Sequence, residues 1–163
     1  MDEERREALR ARYLSLGAGE LAAAVVFLLI AAHPATRSLG PAVGILLWCG
    51  LGPLLFVLVQ GGLYWISARS WVGRGSMPPA LSTVYRALRF LNPLLLAVGL
   101  GVILARWPDD ALVGLVMLVI WAFGVGEYLN YYVVRLAYPI PDWFRLVWSR
   151  RTPRLVKDMR AAS

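Results

Sequence analysis

Glu20 and Glu127 each stand inside a long apolar run. A carboxyl in that setting is costly to leave without a partner, so it marks either a structural polar contact or a place where a proton, an ion or a ligand is handled. Gln60, Asn92 and Asn130 are amides in similar surroundings, and Tyr131 follows Asn130 directly. In the stretch from Gly124 to Tyr132, helical spacing puts Glu127, Asn130, Tyr131 and Val134 on one face. Ala122, Gly126 and Asn130 form a stripe of small residues beside that face, a pattern that lets membrane helices approach closely and form homo- or hetero-oligomers. Glu127 is therefore expected to face protein. Glu20, Gln60, Asn92, Glu127, Asn130 and Tyr131 together make the candidate intramembrane polar site. Two carboxyls in one low-dielectric layer cannot both ionise cheaply, which calls for a proton or a cation between them.

No other chemistry stands out. The single cysteine, Cys49, lies in an apolar run and has no second thiol to pair with. The single histidine, His33, lies in a short loop and would have to anchor any metal site or catalytic triad alone. No catalytic residue and no metal site is assigned, and no motif specifies a cofactor.

The elements that must position these groups are membrane spans. Hydrophobic residues make up 59% of the 163, well above the roughly 45–50% of soluble domains, and mean hydropathy is +0.60. Four continuous apolar runs, Leu14–Ala32, Pro41–Ser67, Val84–Leu104 and Ala111–Val134, each meet the roughly 17–25 residues that a helix needs to cross a bilayer. Cutting the first at Glu20 or the third at Asn92 leaves twelve residues, about 18 Å of helix, too short to span. Those two residues therefore belong to the membrane region, whereas Gln60 and Glu127 could be moved out of it. Gly52-Pro53 predicts a tilt or kink in the second run. Asn92-Pro93 is compatible with a kink or with a break that restarts the third helix.

Seventeen basic residues give a net charge of +7, and they are strongly asymmetric. Fifteen fall before the first run, between the second and third, at the entry to the third (Arg86 and Arg89), or after the fourth; only Arg37 and Arg106 fall in the other two loops. Such charge, placed between apolar runs, argues for the positive-inside rule rather than for nucleic acid. The expected placement is a multi-pass protein of the cytoplasmic (inner) membrane, with both termini cytoplasmic. Pro139 and Pro141 end the fourth helix, and an aromatic and basic segment follows.

The sequence thus predicts an all-α integral membrane protein. Residues 1–138 form a four-transmembrane-helix bundle. Residues 139–163 form a basic cytoplasmic tail with a short amphipathic interfacial helix, in which Arg145, Arg150, Arg151, Arg154 and Lys157 are candidate contacts to anionic lipid headgroups. Functionally this reads as a small polytopic accessory or assembly subunit without a catalytic centre of its own. A transporter-like or ligand-binding bundle using the intramembrane glutamates is the first alternative, and a lipid-modifying membrane enzyme the second.

Overall fold

A computed structural model describes residues 3–73, 75–136 and 151–162, the side chains of residues 35 and 37 excepted. The described residues form the helices α1 (Glu3–Ala32), a single turn α2 (Pro34–Arg37), α3 (Pro41–Ala68), α4 (Pro79–Ala105), α5 (Ala111–Tyr132) and α6 (Arg154–Ala161). α1, α3, α4 and α5 are long and apolar enough to cross a membrane. The chain is an all-helical transmembrane bundle with a short C-terminal helix.

Local chemistry sets the boundaries. α2, α3 and α4 each open on proline, whose fixed φ suits the first turn and whose missing N–H is not needed there. Gly40, immediately before α3, has φ 92°, a conformation that glycine adopts without strain. The Asp110 side chain accepts from the Leu112 N–H at 2.8 Å and caps α5.

α1 starts at Glu3 rather than Leu14. Its charged turns continue the helix beyond the apolar run, with Glu3 and Glu4 at the positive end of the helix dipole and Glu3 paired to Arg6. Thirty residues make about 45 Å of helix against a hydrocarbon core of about 30 Å, so the extra length projects at the end of the bundle that carries most of the basic residues, termed here the basic end. α4 also starts early, at Pro79, and runs unbroken through Asn92-Pro93 to Ala105. Asn92 therefore does not act as a cap.

α3 is the hub. α1 packs on one side of it and the α4–α5 hairpin on the other. At the α1–α3 crossing, a side chain on Gly17 would run into the Gly62 carbonyl, and one on Gly62 into the Gly17 carbonyl and Leu21. Glycine brings these backbones together, as is usual where helices must pack without a hydrophobic gradient to drive them.

Both internal prolines leave a carbonyl one turn back without its helical donor. Pro53 frees the carbonyl of Cys49, and Gly99 of α4 lies against that oxygen so closely that any β-carbon would overlap it. Pro93 frees the carbonyl of Arg89, and the Tyr128 hydroxyl donates to it at 3.3 Å. Inside a bilayer such substitute contacts are what make an interior proline tolerable.

The core has two parts. Toward the basic end it is aromatic, with Tyr13, Tyr64, Trp71, Tyr85, Tyr131 and Tyr132. Toward the other end it is aliphatic, built on Leu46, Leu51, Leu54, Leu58, Ile103 and Met117.

Gly99→Ala should destabilise the chain by about 1–3 kcal/mol, the usual cost of overpacking, as measured by denaturation in detergent micelles. Gly101→Ala, where the added carbon meets open space, should leave stability unchanged or raise it slightly. Equal effects at the two positions would contradict the α3–α4 contact described here.

Candidate functional site

Among the described residues, Gln60, Asn92 and Glu20 fall into two networks, each fed by one of the consecutive tyrosines at the end of α5. In the first, Gln60 of α3 and Asn92 of α4 exchange hydrogen bonds. Gln60 Nε2 donates to Asn92 Oδ1 at 3.0 Å, and Asn92 Nδ2 donates to Gln60 Oε1 at 2.9 Å. Tyr132 donates to the same Gln60 oxygen at 2.8 Å, and Tyr85 to the Gln60 carbonyl at 3.0 Å. All four residues are buried. A buried network in which each amide both donates to and accepts from the other acts as a structural staple between α3 and α4.

The second network crosses from α5 to α1. Tyr131 donates to Glu20 Oε1 at 2.6 Å and accepts from Trp65 Nε1 at 3.0 Å. Its ring lies over Gly61, where any side chain would collide with it. Gly61 thus opens the passage by which Tyr131 reaches past α3 to α1.

Glu127 is placed differently. Asn130 hydrogen-bonds its carboxyl, and Glu20 is close enough to interact with it electrostatically. Its Oε2 atom, however, is buried without a hydrogen-bond partner. Beside it runs a groove of about 520 Å³ walled by Val119, Ala122, Phe123, Gly126, Glu127, Asn130 and Leu136. All of these belong to α5 except Leu136, whose N–H donates to Asn130 Oδ1 at 2.9 Å. Among the described residues, no other helix lines the groove, and a side chain on Gly126 would meet nothing.

The Ala122–Gly126–Asn130 stripe lines this groove rather than a contact with another described helix. Close approach inside the chain uses Gly124, on a different side of α5, against the Leu54 backbone. Tyr131 likewise turns away from the groove that Glu127 and Asn130 line. The structure thus joins Gln60 to Asn92 and Tyr131 to Glu20, and leaves Glu127 and Asn130 at the rim.

The tail residues divide as well. Arg154 Nε pairs with Asp158 Oδ1 at 2.9 Å, while Arg151 and Lys157 are exposed. Arg145 and Arg150, and most of the expected interfacial segment, lie outside the described residues. α6 itself is docked on the protein. Leu155, Val156 and Met159 are buried in the aromatic part of the core. Asp158 Oδ2 accepts from Tyr64 at 2.9 Å and from Trp71 Nε1 at 3.1 Å. Arg86 Nη2 and Ser82 Oγ both donate to the Met159 carbonyl, at 3.0 and 3.3 Å. The sequence alone places Tyr64 and Trp71 in an interfacial aromatic belt and singles out no role for Asp158. The available signal was an acidic residue in a basic segment, flanked by Leu155, Val156 and Met159 at helical spacing.

Two results should separate these contacts. Gln60→Leu should cost about 1–3 kcal/mol by stranding the Asn92 amide, and adding Asn92→Leu should recover part of the loss, as read in a double-mutant cycle. Asp158→Ala should release α6, seen as proteolysis near Arg154 in folded protein that the wild type resists. Unchanged resistance would mean that Asp158 does not hold the helix.

No protein-family model matches the chain, and comparisons with curated proteins and with solved structures find no match, so the functional reading rests on the geometry alone.

Proposed function

We propose that the chain is a non-catalytic accessory or assembly subunit of a larger membrane complex, joined to its partner through the Glu127 face of α5. One observation carries the reading: the buried, unpartnered Glu127 Oε2 atom beside a groove that no other helix among the described residues lines. An acceptor left bare at membrane depth is expensive and is normally satisfied by a neighbouring helix. The small side chains of Ala122 and Gly126 leave room for that helix. The partner is a membrane helix of another protein that brings a cationic, hydroxyl or amide donor to Glu127. A second copy of α5 suits the site less well, because Asn130, the amide on this face, already hydrogen-bonds Glu127 and Leu136.

The proposed setting is the cytoplasmic (inner) membrane with both termini in the cytoplasm, supported by the fifteen-to-two division of basic residues. A second reading, a ligand- or ion-binding bundle, draws support from the electrostatic proximity of Glu20 and Glu127.

In membranes solubilised with a mild detergent, the chain should migrate on native gels in an assembly larger than a dimer of itself. Glu127→Leu should weaken that assembly roughly fivefold, the worth of one interhelical hydrogen bond of about 1 kcal/mol in a membrane. Gly126→Leu should abolish it by filling the groove. Assembly indifferent to both changes would refute the subunit reading, and function lost in Glu127→Gln with assembly intact would favour the ion-binding one. For orientation, in a Cys49→Ala background, cysteines replacing Ser38 and Asp109 should react with an impermeant thiol reagent on intact cells, and one replacing Ser76 should not. The opposite pattern would invert the topology.

A further inference from the structure

We infer a binding site for the phosphate of an anionic phospholipid at the basic end of the bundle, between α4 and the docked C-terminal helix. A cavity of about 300 Å³ is walled by Arg86, Arg89 and Phe90 of α4 and by Val156, Met159 and Arg160 of α6. It is independent of the α5 groove and of whatever α5 binds. It also uses none of the tail cations that the sequence suggested as lipid contacts.

Three arginines line one small cavity, and none of its six wall residues is acidic. Guanidinium is the side-chain group best matched to a phosphate, since it offers paired, charge-assisted N–H donors. The floor, Val156 and Met159, is buried. Arg86 is held in place by its bond to the Met159 carbonyl. The cavity is therefore formed by docked α6 rather than by loose surface arginines.

The site also lies where a lipid headgroup would. Arg89 is the last charged residue of α4, and apolar sequence follows it to the end of the helix apart from Asn92. Phe90, on the cavity wall, is 77% exposed, and Leu94 and Val98 continue the same bare face at 59% and 57%. A phosphodiester at the arginines would have its acyl chains running along this strip. A free phosphate would use the arginines and leave the strip idle, which is why the site is assigned to lipid. A bound headgroup would bridge Arg89 on α4 to Arg160 on α6 and so hold the tail helix on the bundle.

The test uses the full chain in neutral detergent, with thermal unfolding followed as phosphatidylglycerol or phosphatidylcholine is titrated into the micelles, and with inorganic phosphate as a separate arm. Phosphatidylglycerol should raise Tm saturably, and phosphatidylcholine and inorganic phosphate should not. Arg89→Gln/Arg160→Gln should weaken the apparent phosphatidylglycerol affinity roughly tenfold or more, as expected from losing charge-assisted hydrogen bonds. Arg151→Gln/Lys157→Gln, which removes exposed cations elsewhere in the tail, should weaken it much less. Arg160→Gln alone provides the same test should the double variant fold poorly, because Arg160 is exposed near the end of α6. Equal losses in the two double variants would reduce the effect to general charge attraction and overturn the site. An equal rise in Tm with inorganic phosphate would overturn its assignment to lipid.

Discussion

A polar group inside a bilayer has no water to fall back on, and this constraint orders the rest of the structure. It accounts for the reciprocal Gln60–Asn92 pair, in which each amide completes the other and Tyr132 takes up a further lone pair. It accounts equally for the two internal prolines, whose freed carbonyls lie under Gly99 and the Tyr128 hydroxyl. The same constraint makes one exception informative. Among the described residues, Glu127 Oε2 is the carboxyl oxygen that is buried without being satisfied, and it lies beside a groove rather than within the core.

The helices divide the work. α3 carries the crossings, with Gly62 admitting α1 and Gly61 admitting the Tyr131 ring on its way to Glu20. Tyr131 and Tyr132, adjacent in sequence, point into different networks because successive helical residues lie about 100° apart. α6 closes the basic end by turning Asp158 inward against Tyr64, Trp71 and Arg154. A segment with a basic sequence is thus held by its acidic residue, and its cations are left at the rim.

Much of the fold was legible because lipid imposes a length on every span. The four runs and the bundle follow from continuous hydropathy, and the early cut-offs at Glu20 and Asn92 were untenable because twelve residues cannot cross. Helix starts were less legible: hydropathy marks where lipid begins, whereas α1 extends beyond its apolar run through charged turns and α4 starts earlier, at a first-turn proline. The polar positions were visible as intrusions into apolar sequence, but their partners were not. Pairing Gln60 with Asn92, and Glu20 with Tyr131 rather than with Glu127, depends on which way each helix is rotated. Nor could the sequence place the Ala122–Gly126–Asn130 stripe, because small residues mark a close approach without saying whose helix makes it. Asp158 was overlooked for a related reason: a basic amphipathic segment reads as a lipid-facing one until the surface it docks on is known.

The central claim is that the Glu127 face of α5 is covered by another protein while the remaining bare faces meet lipid. A photo-crosslinking residue carried in turn at Ala122 and Gly126 in the groove, and at Leu94 and Val98 on the exposed face of α4, tests it most directly in intact membranes. The account predicts one discrete protein adduct, of the same mass, from Ala122 and Gly126, lost when Glu127 is replaced by Leu, with lipid adducts alone from Leu94 and Val98. Lipid adducts alone from all four positions would contradict it.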